Sequence, residues 1–466
     1  MRPLSTIGLA VCLLLVGCAT TEPSSEEGTS YDEDTLENMR RGTYNDAWES
    51  SYEPLPARPT VIQDATVMTA AGETIEEGDV RLRNRTIDSV GTDLPVPDEA
   101  RVVDGTGKYV TPGLIDSHSH LGVSATPEVG PHYDNNETGM ATPGLWMEHG
   151  VWPQGPGFAR ALAGGTTTAL LLPGSGDLME GRGFTAKLVP GQTPQDMKFP
   201  DAPGTLKMAC GENPKGGSDY PTTRMGTTEG FRRTLIDAQS YRQKWDAWLA
   251  DPTGDPPERD LDMETLAQVL RGNILVQVHC YRADDMTTIL EIAQEFDIDI
   301  RSFHHAVEAY KIRDRLAAEN VSASMWSNWW GFKMEAFDGI PQNVSLVARA
   351  GARAIVHSDD DLEIQRLNHE AAKALRAGRE AGLDLSRNEA LRWITANPAW
   401  ALGIQDRVGT LEAGKNADVV LWTGDPFSVY SKAQRVWVDG ALVYDRTDPD
   451  RHPRSDFELG GPRPQK

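Results

Sequence analysis

Apolar and polar positions fall into distinct regimes along the chain. Between about residues 110 and 400, short apolar runs alternate with longer amphipathic stretches, the alternation expected of a parallel α/β fold. Strand-like runs end at His120, Leu172 and Val189, near Gly211, at His279, at His304 or His305, at Trp326 and at His357. Helix-like stretches over 260–271, 284–295, 309–319 and 362–381 separate the later runs. Ser386 and Glu389 have the spacing of a capping box and open a helix expected to run through Ala396. Eight strands in this arrangement predict a barrel, which gathers its chemistry at the strand C-terminal ends.

The flanks read differently. Residues 60–68 and 78–83 carry strand patterns broken by Gly and Asp turns, and the same texture returns at 417–422 and 435–444. Together they predict a small, sandwich-like β domain built from both chain ends, 58–110 and 406–446, around a barrel spanning 111–405. Residues 19–57 are rich in Thr, Ser, Glu, Asp and Pro and read as a flexible acidic tether, and 447–466 as a flexible tail. There is no internal repeat, and no Gly-rich phosphate loop follows a strand.

The first eighteen residues carry an address rather than fold. Arg2 precedes a short apolar stretch at 7–16, which ends in Leu15, Val16, Gly17 and Cys18. This resembles the lipobox of bacterial lipoproteins, implying cleavage before Cys18, lipidation of that residue and a membrane anchor facing the periplasm. Cys210 and Cys280 remain, without a CxxC; two buried free thiols are favoured over one bridge. The excess of 69 acidic over 45 basic residues, net −24, argues against nucleic acid and against an anionic lipid surface as partner. Thirty prolines and 44 glycines suit a loop-rich enzyme better than a helical bundle.

Chemistry concentrates at the strand ends. His118 and His120 lie two apart on one run, so regular alternation projects both to one side, where they can share a metal ion. His279, the His304–His305 pair and Asp359, Asp360 and Asp361 then each follow their own apolar run. Four strands ending this way, in this order, point to one metal site. His132 and His149 sit in a long Gly-, Pro- and Trp-containing insertion, 127–157, that reads as a surface loop or lid.

Two longer motifs give the chain a family resemblance. The run Val-Thr-Pro-Gly-Leu-Ile-Asp-Ser-His-Ser-His at 110–120 and the run Val-Gly-Thr-Leu-Glu-Ala-Gly-Lys-Asn-Ala-Asp-Val-Val at 408–420 resemble the opening and closing motifs of imidazolonepropionase-like members of the amidohydrolase superfamily. The resemblance spans about 59–445. It implies a distorted (β/α)8 TIM-type barrel carrying one or two divalent metal ions, for which zinc suits the His-rich ligand set. Carried over residue by residue, it implies His118, His120, His279, His305 and Asp359 as ligands. His305 matches the family run better than His304, which would face the other way in a regular strand. Asp359 directly follows its strand and is also implied as the proton shuttle, with His357 one layer deeper on the same face. Members of the superfamily bridge two metals with a carboxylated lysine or a glutamate. Glu212 stands at a strand end where such a bridge is needed, while Lys207, deeper and of opposite parity, and Lys187, on the preceding strand, stay open as alternatives. Asn213, Lys215 and Arg224 are candidate substrate contacts, and Trp326, with Trp329 and Trp330, is a candidate apolar wall.

The function implied is hydrolysis of an amide-type C–N bond, linear or cyclic, by metal-activated water. Export favours a small or short peptide-like substrate or an N-acyl amino acid. A deaminase or a lactone or ester hydrolase on the same site, and a non-catalytic metal-binding lipoprotein, are the alternatives. Similar proteins are commonly homo-oligomers.

Overall fold

In the computed structural model of the protein, the structure describes residues 31–41, 48–124, 130, 133–135, 139–215 and 220–452. Its strands form two eight-stranded sheets. Five strands precede the barrel: β1 (Thr60–Met68), β2 (Thr74–Arg83), β3 (Thr86–Gly91), β4 (Arg101–Asp104) and β5 (Tyr109–Pro112). The barrel follows as β6 (Leu114–Ser119), β7 (Thr166–Leu171), β8 (Met179–Lys187), β9 (Gly204–Ala209), β10 (Ile274–Cys280), β11 (Ile300–His305), β12 (Ser322–Met325) and β13 (Ala354–Val356). Three more strands, β14 (Val419–Trp422), β15 (Ala433–Val438) and β16 (Ala441–Asp445), return to the first sheet.

That sheet runs β16-β15-β14-β5-β1-β2-β3, with β4 beside β1. The two chain ends meet at the antiparallel β5–β14 ladder, where Val110 lies opposite Leu421 and Pro112 opposite Val419. Mostly β-branched and other apolar residues, among them Ile62, Val67, Val80, Leu82 and Trp437, form one buried cluster on this sheet.

The second sheet takes its strands in chain order from β6 to β13, the order of a TIM-type barrel. One strand departs from the expected all-parallel arrangement: β8 is antiparallel to both β7 and β9. Only residues 172–178 separate β7 from β8, too few for the crossover that a parallel pair requires. The end of β8 therefore lies at the opposite mouth of the barrel from the other strand ends.

The seam between β13 and β6 is closed by backbone and side-chain bonds rather than by a ladder. Asp359 N–H donates to the His118 carbonyl at 3.0 Å. At the other end of the seam, Ile115 and Val356 donate to the carbonyls of Ile394 and Trp393, each at 2.9 Å. This explains why the helix opened by the Ser386 capping box stops early. It covers only Arg387–Arg392, and a second helix, Ala396–Ala401, follows once the two carbonyls have been given to the barrel.

Cys210 and Cys280 form a disulfide, correcting the expectation of free thiols. β9 and β10 are neighbours in register, with Ala209 opposite His279, so the two next residues fall opposite each other at a Cα separation of 5.2 Å. A spacing of 70 residues hides this pairing in the sequence.

Candidate metal centre

The C-terminal mouth of the barrel collects His118 and His120 from β6, His279 from β10, His304 and His305 from β11, and His357 and Asp359 from the loop after β13. Ligand atoms of His118, His120 and Asp359 lie within 4.8 Å of one another, as do those of His118, His305 and His357. His118 Nε2 stands 3.2 Å and His120 Nε2 3.3 Å from Asp359 Oδ1, and His305 Nδ1 is 4.0 Å from Asp359 Oδ2.

The hydrogen bonds around these rings fix their tautomers. His120 Nδ1 donates to the Leu172 carbonyl at 2.8 Å, leaving Nε2 bare. For His118 the constraint arrives through three side chains. Gln277 Nε2 donates to the Ala401 carbonyl at 3.0 Å, which turns Gln277 Oε1 toward His304 Nε2 at 2.8 Å. An amide oxygen only accepts, so His304 Nε2 carries the proton and its Nδ1 accepts from His118 Nδ1 at 2.9 Å. His118 Nε2 is then also bare. Burial holds His118, His304 and His305 well below the ordinary imidazole value, helped by the nearby Lys207 ammonium and neighbouring rings. Burial likewise brings His357 down to about 4, against the pull of Asp359.

Two bare imidazole nitrogens and a carboxylate oxygen thus face one another, each offering a lone pair. Both nitrogens of His279, both of His357 and Nδ1 of His305 are buried without a hydrogen-bond partner. Buried polar atoms are normally satisfied, and each of these neutral rings leaves one unpartnered lone pair in the histidine cluster, which fits a cation. The residues present therefore fit a metal ion, with second-sphere partners already in place.

β11 departs from regular alternation. His304 packs inward against His118, with ring centroids 4.8 Å apart, instead of facing the other way. His305 has φ +67° and Ala306 φ +34°, which breaks the pleat and lets consecutive histidines face the barrel axis. His305 closes on His279 with centroids 4.4 Å apart. Asp359 has φ +63°, also in the left-handed region. Its loop is held by the buried Asp116, which accepts from Ser358 Oγ and, at 3.2 Å each, from Ser358 N–H and His118 N–H. Burial raises the Asp116 carboxyl to about 7. Neither Asp116 nor Gln277 was assigned a role from the sequence. Their signal was inward parity with the histidine two residues ahead of each.

The fourth barrel strand presents Lys207 to this cluster. Opposite Gln277 in the ladder, its fully buried side chain brings Nζ to 3.5 Å from His118 Nε2. It donates to the carbonyls of Pro173 and Gly174, each at 3.0 Å, and to Ser175 Oγ at 3.1 Å. Its stem reaches the cluster from a deeper position, and its inward facing corrects the parity counted back from Glu212, which lies beyond the end of β9 at Ala209. Glu212 belongs to neither group of converging ligand atoms; its Oε1 lies 3.5 Å from Lys333 Nζ. Lys187 is at the far mouth, bonded to Asp439 at 2.9 Å and Asp418 at 3.5 Å.

Around the rim, Asn213 Oδ1 accepts from Lys333 Nζ at 2.7 Å, and Lys215 ends the same short turn. Arg224 is taken up by Asp285 at 3.0 Å and by Glu335. Trp326 is stacked on His305 with centroids 4.3 Å apart, and Tyr281 stands between His279 and Trp326. Burial, then Asp359 and Glu212, push the Tyr281 phenol well above its usual value, so it stays protonated. Cys18 and His132 lie outside the described residues.

Comparison with known proteins places this geometry. Residues 273–444 match the amidohydrolase family. The crystal structure of an amidohydrolase from Thermotoga maritima MSB8 is 33% identical with a TM-score of 0.77, over 83% of this chain and 100% of that one. The amidohydrolase tasK of Hapsidospora irregularis is 31% identical over 433 residues, 83% of this chain, and the chain spans 43% of that relative's length. A 5-methylthioadenosine/S-adenosylhomocysteine deaminase of Desulforudis audaxviator is 24% identical over 402 residues, 78% of this chain and 84% of its own.

Proposed function

The chain belongs to the amidohydrolase superfamily, and on that premise we propose that it is a metal-dependent hydrolase cleaving an amide-type C–N bond in a small or short peptide-like substrate. The observation that carries this reading is the meeting of His118 Nε2 and His120 Nε2 with Asp359 Oδ1 at 3.2 and 3.3 Å, the two nitrogens being those left without a proton by the bonds that their Nδ1 atoms make.

His118, His120, His279, His305 and Asp359 would hold the ion or ions, with Lys207 the strand-four residue best placed to join them as a carboxylated bridge and Glu212 the alternative. A divalent ion there, zinc by the nitrogen-rich donor set, supplies a Lewis acid that acidifies water and polarises a carbonyl. The chain's own residues do the rest. Gln277 and His304 keep the His118 lone pair aimed inward. Asp116 and Ser358 hold the loop that carries Asp359. The Asp359 carboxylate takes the proton from water and delivers it to the leaving nitrogen. The protonated Tyr281 hydroxyl is a donor at the same mouth.

Export with a lipid on Cys18, toward the periplasm, belongs to the same proposal. Its supports are the lipobox-like run at 15–18 and the Cys210–Cys280 disulfide, which suits an oxidising compartment. Among the described residues no helix is long and apolar enough to cross a membrane.

The test is a hydrolysis screen over dipeptides, N-acyl amino acids, cyclic amides, lactones and aminated purines with the zinc-loaded protein. Turnover of an amide is expected, and Asp359→Asn should lower kcat on the best substrate by about 10²–10⁴-fold. Preference for an exocyclic amine would favour the deaminase reading. Unchanged kcat in Asp359→Asn would contradict the proton transfer.

A further inference from the structure

Beside His305 the barrel mouth opens into a cavity of about 180 Å³. Its wall is built from Val307, Trp326, Trp329, Trp330, Ile340 and Pro341. The aromatic part continues the candidate metal site itself. Trp326 stacks on His305 at 4.3 Å, and Trp329 stacks on Trp326 at 4.6 Å with only 10° between the planes. The cavity therefore reaches a candidate ligand directly, with His305 itself part of its lining.

Most polar groups on this wall are committed elsewhere; Asn328 is exposed to solvent, and His305 Nδ1, without a hydrogen-bond partner, is a candidate metal ligand. Ser327 Oγ donates to Glu370, and Trp330 Nε1 donates to the Phe337 carbonyl at 2.7 Å. Trp326 Nε1 donates to the Ser358 carbonyl at 3.3 Å. Asn343 donates to the carbonyls of Ala306 at 2.9 Å and Val307 at 3.0 Å and accepts from Tyr310 N–H at 2.9 Å. Among the described residues no Asp, Glu, Lys or Arg lines the cavity. A charged group entering it would lose its hydration without finding a counter-charge, whereas an apolar group gains by leaving water. Apolar cavities of about 150 Å³ hold benzene, so this one is of the size for a phenyl or isobutyl group.

We infer that this cavity is a specificity pocket that takes an apolar side chain, of phenyl or isobutyl size, carried next to the scissile bond. The inference rests on the hydrolase reading above for its place beside the reacting group. It makes the substrate an amide with a bulky apolar substituent.

Two probes separate the pocket from the metal site. With the zinc-loaded full-length protein, 3-phenylpropanohydroxamate should bind about 10- to 100-fold more tightly than acetohydroxamate, because the shared hydroxamate meets the metal and only the phenyl group meets the pocket. In Ile340→Trp, which fills the cavity, the ratio should fall to within about threefold of unity. Fluorobenzene, followed by fluorine NMR, should bind the wild-type protein with or without zinc and not bind Ile340→Trp. Trp330→Ala, at an exposed position, should weaken fluorobenzene binding and serves if Ile340→Trp fails to fold. Equal affinity of the two hydroxamates, or no fluorobenzene binding to the wild type, would overturn the pocket. Fluorobenzene binding without binding of either hydroxamate would uphold the pocket and overturn the metal reading instead.

Discussion

The two mouths of the barrel each bury a cluster of charge, and they resolve it in opposite ways. At the N-terminal mouth, Lys187 lies between Asp439 at 2.9 Å and Asp418 at 3.5 Å, Asp439 N–H donates to Asp418 at 2.8 Å, and the Tyr52 hydroxyl donates to Asp439. Burial pushes the Asp418 carboxyl up to about 6 against the pull of Lys187. That cluster contains its own cation and ties the barrel to the β domain. At the C-terminal mouth the acceptors are assembled, but the ammonium of Lys207 lies closer to the Pro173 and Gly174 carbonyls, each at 3.0 Å, and to Ser175 Oγ at 3.1 Å than to His118 Nε2 at 3.5 Å. Paired buried charge reads as structure; buried lone pairs aimed at one another read as a binding site.

Substitutions sharpen this contrast. The largest effect is expected at the self-sufficient end. Lys187→Met leaves two buried carboxylates facing each other and should cost about 3–5 kcal/mol of stability by chemical denaturation. Its zinc stoichiometry should match the wild type. A smaller effect is expected from Gln277→Leu. Once Gln277 no longer dictates the His304 tautomer, His118 is free to carry its proton on either nitrogen. Zinc affinity should fall by about 10–100-fold, measured by competition with a chelator, although Gln277 touches no ligand atom of the site. Unaltered affinity would show that the relay from Ala401 to His118 has no bearing on the metal.

Much of the architecture was legible because periodicity and strand-end chemistry are local signals. The eight barrel segments, the composite β domain and the clustering of strand-end polar residues are all written within runs of ten residues or fewer. What escaped depends on partners distant in sequence. A buried strand has the same apolar texture whichever way it runs, so β8 looked parallel, although the short 172–178 connection carried the clue. Alternation assigned His304 to the outer face because no local signal marks the positive φ at His305. Lys207 was assigned the wrong face because parity was counted back from Glu212, whereas β9 ends at Ala209 and Gly211 takes φ +79°, so alternation does not run unbroken between them. The helix after Ser386 was cut short by hydrogen bonds to β6 and β13, which its own capping pattern does not encode.

The central claim is that the His and Asp side chains at the C-terminal mouth form a metal site, whereas the charge cluster at the N-terminal mouth is complete in itself. It is tested most directly by zinc titration of the chelator-stripped full-length protein, with thermal unfolding followed in parallel. The account predicts saturable binding at one or two equivalents and a Tm that rises with free zinc. That binding should be lost or severely weakened in His118→Ala and Asp359→Asn and kept at full stoichiometry in Lys187→Met. No zinc binding by the wild type, or undiminished binding by both His118→Ala and Asp359→Asn, would contradict it.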